Sequence, residues 1–409
     1  MKFLKPAKPL PLLDDKKIAI KYPQWRLRMF LVAYIGYFTY YFGRSSFDVS
    51  KQYITTLSPD ELGLIGAGLG VAYGVSKFLM GNIADRSNAK VFLALGLLIS
   101  GLLNLIIPSV LSLGVLLMFV IMLVNGWAQG MGWPACARIM THWFCAHERG
   151  TKMGIWNTAH NVGAGFLAIA VVPIGLYLFN NDWHGLFYVA GILCISIAIL
   201  ILIFGADTPQ SVGLPAIEVY KGYVNQSSYQ EKEFTAKEIF FKYVLNNKWV
   251  WLIAIANAFV YCARYGLLPA IPGTIVIGWI TDRFFNSRRA PVSVICMILF
   301  IAVLFIYWYS DTAWILLLSL SAMGVLIYGP VALIGILALD LVPKKAGGTA
   351  AGFTGLFGYF LGTVGAQAVI GIIATYLGWN AVFIFLISSC VLATILLSIC
   401  WNLSSDNKY

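Results

Sequence analysis

Apolar runs of spanning length recur from one end of this sequence to the other, at roughly 28–48, 62–83, 91–110, 113–137, 153–178, 185–205, 249–281, 290–310, 313–339, 350–376 and 380–401. A hydrocarbon core about 30 Å thick takes about 20 residues of helix, and chain inside it must satisfy its backbone polar groups without water. The expected fold class is therefore all-α, a polytopic membrane protein. Composition agrees: 60% of residues are hydrophobic and 11% charged, against about 25% charged in soluble domains. The first run is too long for a signal-peptide core and carries no cleavage signature, so it is expected to stay as a helix.

A net charge of +11 would fit nucleic acid, but its distribution points elsewhere. Lys2, Lys5, Lys8, Lys16, Lys17, Lys21, Arg26 and Arg28 crowd the N-terminus, and further basic clusters sit at Arg86/Lys90, Arg149/Lys152, Arg283/Arg288/Arg289 and Lys344/Lys345. The intervening loops carry Asp48, Asp60, Glu61, Asp182 and Asp311 against a single Lys51. This alternation is the positive-inside pattern, which places both termini and the basic loops in the cytoplasm. The charge orients helices in a lipid bilayer, and no nucleic-acid partner is expected. The seven cysteines lie mostly inside spans without metal spacing and read as small packing residues; neither a metal nor a cofactor is expected.

A polar stretch divides the chain into an N-terminal half (1–206), a cytoplasmic linker (207–248) and a C-terminal half (249–409). Within the linker, Phe234-Thr235 followed by Glu238-Ile239 has the form of a capping box with a hydrophobic staple, which predicts a short helix leading into the seventh span. The halves repeat each other. Gly81-x-x-x-Asp85-Arg86 returns as Gly278-x-x-x-Asp282-Arg283 at an offset of 197, and Gly150-Thr151 returns as Gly348-Thr349 at 198. Tyr41-x-x-Arg44 returns as Tyr261-x-x-Arg264, but at 220. The second half has therefore lost residues between its arginine and its loop motif. From Trp249 to Thr281 there are 33 residues, roughly 50 Å as one helix, whereas two crossings need about 60 Å plus a turn. A single crossing would invert every later basic loop. What remains is a short hairpin turning near Gly266 to Pro272, with Pro269 and Pro272 as breakers, or a damaged protein, and transport is expected to be deficient or very slow.

Arg44 and Arg264 lie within apolar runs, with no Asp or Glu beside them at that depth. An arginine at the centre of a span costs roughly 2.5–3.5 kcal/mol on insertion scales, which makes it a candidate for function. The guanidinium fork grips phosphate through two parallel hydrogen bonds and keeps its charge at any usable pH, so an anionic partner carrying phosphate or carboxylate is expected. No nucleophile with a base, metal set or phosphate-cradling glycine loop is present, and the chain is not expected to be an enzyme.

The repeated Gly-x-x-x-Asp-Arg loops resemble the signature loop of the major facilitator superfamily, in which the glycine lets helices approach and the charged pair latches their cytoplasmic ends. Tyr37 through Arg44 (YFTYYFGR), Gly126 through Pro134 (GWAQGMGWP), Trp156 through Gly163 (WNTAHNVG), Asp207 through Pro215 (DTPQSVGLP) and Lys344 through Gly358 (KKAGGTAAGFTGLFG) are similar, almost end to end, to the organophosphate:phosphate antiporters. The resemblance implies two six-helix halves, here with the second shortened at helices 7 and 8, with substrate between them, in a bacterial inner membrane. It also implies exchange of glycerol 3-phosphate for inorganic phosphate by a monomer. The family's phosphate-holding arginines match Arg44 and Arg264, the histidine between them His160, the lysine of helix 2 Lys77, and the cavity tyrosines Tyr37, Tyr41, Tyr73, Tyr261 and Tyr328. Gly81, Asp85, Arg86, Gly278, Asp282 and Arg283 match the conformational latch. Ser45 departs from the family, which often has a lysine there.

Each residue also has a plainer reading. Arg44 could snorkel to the interface, His160 could be a hydrogen-bonded packing residue beside Asn157 and Asn161, and Lys77 could point at a polar neighbour. Trp133 and Trp156 are expected to pack. The arginines read only phosphate, so an exchanger of hexose phosphates and a transporter-like sensor of phosphate esters stand as alternatives.

Overall fold

Ser58 opens a helix over Pro59–Asp85 by accepting the Glu61 amide at 3.3 Å while the Glu61 carboxylate takes the Ser58 amide at 2.8 Å. Pro59 fills the first helical position, where no amide hydrogen is needed. Similar local chemistry sets the bounds of other elements. The computed structural model describes residues 2–111, 113–224, 234–264 and 271–403, with the side chains of 2, 264, 271, 272, 364, 367 and 368 outside the description. Among the described residues the long elements are α1 (Asp15–Ser50), α2 (Pro59–Asp85), α3 (Ala89–Leu111), α4 (Val115–Trp143), α5 (Ala146–Leu178) and α6 (His184–Phe204). They continue with α7 (Lys248–Arg264), α8 (Ile271–Phe284), α9 (Arg289–Tyr309), α10 (Ala313–Asp340), α11 (Gly347–Phe357) and α12 (Ala366–Ile399). No strand occurs among the described residues.

Eight of the described helices are long and apolar enough to cross a membrane. The 36-residue α1 is not one of them, because Arg26, Arg28, Arg44 and a row of tyrosines lower its hydropathy. It begins well ahead of the apolar run at 28. Its first turns are held from outside by Tyr22, which donates to the Pro215 carbonyl at 3.0 Å and stacks on Tyr220 at 3.8 Å.

The chain divides into two compact units, one of Met1–Cys145 with Ala159–Phe234, the other of Ala146–Thr158 with Thr235–Tyr409. In the first unit α3 packs along α6, and α2 along α4. A strap formed by the N-terminal residues closes this unit at the loop ends. Asn88 donates to the Leu4 carbonyl (2.8 Å), Ala7 to the Asp207 carboxylate (3.0 Å), Leu10 to the Gln210 carbonyl (2.9 Å) and Leu13 to the Gly213 carbonyl (3.0 Å). Asp207 is the hub, since its carboxylate also takes the Ala89 amide at 2.9 Å and the Arg138 guanidinium at 3.4 Å.

The second unit opens with the expected capping box. The Thr235 amide donates to the Glu238 carboxylate at 2.7 Å and the Glu238 amide to the Thr235 hydroxyl at 3.2 Å, and these bonds hold the Glu238 carboxyl below its ordinary range. The turn that follows, Glu238–Leu245, is wide, of π type, and Asn247 then caps α7 by accepting the Trp249 amide at 3.0 Å. The described parts of α7 and α8 are seventeen and fourteen residues, about 25 and 21 Å of helix. Of the turn expected from Gly266 to Pro272, residues 266–270 lie outside the described residues, and Ile271 and Pro272 open α8 rather than belonging to a turn. Gly378 adopts φ 80, a left-handed conformation that breaks α12 between the apolar runs 350–376 and 380–401.

A hairpin across 249–281 would keep the loop at Arg283, Arg288 and Arg289 on the cytoplasmic side, as its basic charge requires. Arg288→Cys, in a background lacking the seven buried native cysteines, is expected to be protected from an impermeant maleimide in intact cells and labelled after permeabilisation.

Candidate functional site

The first unit assembles a line of aromatic rings that carries three basic side chains. On α1, Tyr37 packs against Tyr41 with centroids 6.0 Å apart, and Arg44, one turn on, lies with its guanidinium 5.5 Å from the Tyr41 ring and 4.0 Å from the Tyr73 ring of α2. Lys77, one turn beyond Tyr73, extends its ammonium to 6.0 Å from that ring and 4.8 Å from the Trp133 ring of α4, with 5% of the residue exposed. His160 of α5 completes the line at 5.6 Å from Tyr41. Its placement follows from Gly163, where a Cβ would come within 3.2 Å of the Phe38 backbone; only glycine lets α5 approach α1 so closely. A cation over a ring gains about 0.5–2 kcal/mol from the ring quadrupole, which holds it in place without supplying a counter-charge. Such a line can receive an anion.

Behind Arg44 lies a second polar structure that the motifs did not reveal. Gln129 donates to the Ser100 hydroxyl (2.7 Å), Ser100 to the Asn125 carbonyl oxygen (2.7 Å), and Asn125 to the backbone carbonyl of Gly43 (3.1 Å). From the other side Ser46 donates to the Asn104 side-chain oxygen (2.6 Å), and Asn104 to the same Gly43 carbonyl (3.1 Å) and to the Ser100 carbonyl (2.8 Å). All five side chains are buried. In sequence each looks like an isolated polar residue in an apolar run, and the only available signal was the number of such residues along α3 and α4. Trp133, expected to pack, is half-buried with its ring against the Lys77 ammonium.

In the second unit, Tyr261 of α7 is buried and lies 5.5 Å from Tyr359. Tyr359 belongs to Gly358–Gly365, a wide turn of π type that continues α11; α5 carries a similar one at Leu167–Val171. Asn257, one turn before Tyr261, donates to the Thr354 carbonyl at 2.8 Å. Tyr328 is buried in α10 beside Pro330. The side chain of Arg264 lies outside the described residues.

The loop motifs behave differently in the two copies. In the first, Arg86 folds back on its own helix, donating to the Asn82 side chain at 2.9 Å, Gly81 is buried, and the Asp85 carbonyl accepts from Arg138. In the second, Asp282 accepts from the Thr151 amide (2.6 Å), the Thr151 hydroxyl (2.8 Å) and Arg289 (2.5 Å), while Arg283 is exposed. Gly278 permits this by facing the Gly150 backbone. Arg289 also reaches Asp340 at 3.3 Å, and Asp340 accepts from Arg149 at 2.5 Å. Two carboxylates and two guanidinium groups thus close a neutral, buried network.

The fold is that of a polytopic helical membrane protein. The chain belongs to the Major Facilitator Superfamily, whose model matches residues 33–272 and 262–407, the two stretches overlapping across the junction of α7 and α8. Within it, the chain is a member of the organophosphate:phosphate antiporter family. It is 45% identical over 438 residues to the "Glycerol-3-phosphate transporter" of Bacillus subtilis, covering 98% of each chain. It is 30% identical over 430 residues to the "Membrane sensor protein UhpC" of Escherichia coli, covering 97% of each. The first alignment is longer than the 409-residue chain, so that relative carries residues this chain lacks. Among solved structures, the proton:xylose symporter XylE superposes with a TM-score of 0.70 at 13% identity, over 92% of this chain and 96% of that one, a likeness of fold.

Removing one member of the buried charge network leaves the others uncompensated, which typically costs about 3–5 kcal/mol. Asp340→Ala is accordingly expected to lower the thermal midpoint of the detergent-solubilised protein by several degrees, read by loss of monodisperse protein on heating, whereas Asp48→Ala, at an exposed pair with Lys51, should leave it unchanged.

Proposed function

We propose that this protein exchanges glycerol 3-phosphate for inorganic phosphate across a bacterial inner membrane, with both termini in the cytoplasm and halves 1–206 and 249–409 joined by the linker 207–248. The observation that carries the reading is the stacking of Arg44 on Tyr73, continued by Lys77 on Trp133 and His160 beside Tyr41. These basic groups lie against aromatic rings, and a ring quadrupole supplies no net negative charge. A phosphate dianion answers such a site, and its arrival removes the electrostatic penalty of enclosing it. Antiport follows: the loaded site closes and reopens on either side, while the empty one resists closure. Arg44 and, by sequence, Arg264 take the phosphate, with His160, Lys77, Tyr37, Tyr41, Tyr73, Tyr261 and Tyr328 around it. Gly81, Asp85, Arg86, Gly278, Asp282 and Arg283 serve the change of conformation. Asp340, which a cation symporter could use as a carrier, is engaged by two arginines. The names of the relatives support phosphate esters as the substrate class.

A second reading draws on α7 and α8. The 33 residues from Trp249 to Thr281 fit two crossings only as a compressed hairpin, and a site that binds without turning over would make the protein a sensor, as one relative is named. Labelled phosphate in proteoliposomes separates the two. Exchange that requires phosphate or glycerol 3-phosphate on the opposite side supports the antiporter, and slower flux than an uninterrupted relative is expected. Saturable binding with no flux supports the sensor and overturns the exchanger.

Two substitutions test the site. Arg44→Lys keeps the charge and loses the planar fork, so phosphate affinity should fall more than about tenfold while membrane insertion persists; near-normal binding would return Arg44 to a structural role. His160→Asn should weaken binding more at pH 6 than at pH 8, because an imidazolium donates a charge-assisted bond to phosphate whereas a neutral ring resembles the amide. The substrate titrates in the same range, so the comparison is made against wild type at each pH, and a defect independent of pH would remove the charge role.

A further inference from the structure

The hydrogen bonds behind Arg44 share one direction. Gln129, Ser100 and Asn125 form a relay in which each group donates to the next, Ser46 and Asn104 form a second, and both end on the carbonyl of Gly43. That carbonyl belongs to the peptide unit whose nitrogen is the amide of Arg44. Two side-chain amides from α3 and α4 therefore fix the backbone at the root of the guanidinium arm, while Tyr73 of α2 stacks on its head at 4.0 Å. The residue bearing the carbonyl has to be glycine. A Cβ at position 43 would meet Asn104 Nδ2 at 3.3 Å, Gln129 Nε2 at 3.2 Å and the Ser100 hydroxyl still closer.

We propose that Asn104 and Asn125, oriented by Ser46, Ser100 and Gln129, are positioning residues for Arg44: they set the depth and rotation at which α1 presents the guanidinium to the phosphate. The inference rests on the assignment of Arg44 as a phosphate ligand. Buried amides in an apolar bundle cost free energy unless their donors and acceptors are met, and here Asn104 and Asn125, from two different helices, both donate to one carbonyl of α1. Donors aligned in series reinforce one another, so the acceptor at the end is the most tightly held point. Side-chain rotation moves the end of an arginine by several ångströms, and a shift of about 1 Å at its root is enough to spoil two parallel hydrogen bonds to a phosphate. The network touches no substrate. It acts through Arg44 and so on the phosphate group alone, whatever the organic part attached to it.

That last property supplies the test. Dissociation constants for inorganic phosphate and glycerol 3-phosphate are measured by calorimetry on purified full-length wild type, Asn125→Leu, Ser100→Ala and Arg44→Lys, with the monodisperse fraction recorded for each. Asn125→Leu removes one donor to Gly43 and is expected to raise both constants about five- to twentyfold by the same factor. Ser100→Ala breaks the relay one step earlier and should raise both about two- to threefold, again in common. Unchanged constants in monodisperse protein, or a rise for one ligand only, overturn the proposal; if Asn125→Leu does not fold, Ser100→Ala decides alone. Arg44→Lys separates the two levels of inference. Weakened binding there with no effect of the network variants removes the positioning role and leaves Arg44 as ligand. Intact binding in Arg44→Lys removes the phosphate-ligand role of Arg44, and the positioning role with it.

Discussion

Carrying a positive charge into hydrocarbon is the constraint on which this protein is organised. An ion at that depth costs several kcal/mol unless something in the protein replaces the water it has lost. The structure answers in two ways. Near helix ends it uses carboxylates: Arg138 on Asp207, and Arg149 and Arg289 on Asp340 and Asp282. Farther along α1 and α2 it uses rings, with Arg44 over Tyr73 and Lys77 over Trp133. The first solution cancels charge and ties elements together. The second holds the charge against the face of a ring.

Polar groups that carry no charge take part in the same division. The Asn and Ser side chains of α3 and α4 close on a single carbonyl of α1, so the helix bearing Arg44 is fixed by direction-specific bonds as well as by packing. Apolar packing alone tolerates rotation and sliding at modest cost, whereas a carbonyl held by two amides does not. The wide turns in α5 and after α11 bring irregular backbone into both units. In α5 that turn follows Gly163, whose close approach to α1 sets His160 beside Tyr41.

Much of this was legible in the sequence because membrane helices obey local rules. The all-helical class, the superfamily, the Thr235–Glu238 cap and the break near 378 follow from run length, composition and short motifs. The shortening before the second Gly-x-x-x-Asp-Arg loop followed from arithmetic on the repeat and agrees with an alignment longer than the chain itself. What stayed hidden is non-local. No periodicity shows that Asn104, Asn125 and Gln129 converge on Gly43, since the convergence exists only once three helices have packed. Trp133 was read from its type, and its contact with Lys77 depends on how α2 lies along α4. The early start of α1 was missed because residues 15–27 are polar, and their order comes from contact with residues 215–220.

The strap that joins Leu4, Ala7, Leu10 and Leu13 to Asn88, Asp207, Gln210 and Gly213 imposes a sequence in time. A ribosome adds roughly 5–20 residues per second, so the N-terminal residues emerge about ten to forty seconds before their partners beyond α6 exist. During that interval three of the four strap hydrogen bonds lack their partners. The strap therefore closes only when the first six helices have been made and Asp207 has reached the loop ends, and a nascent chain with an open strap is one whose first unit is still incomplete.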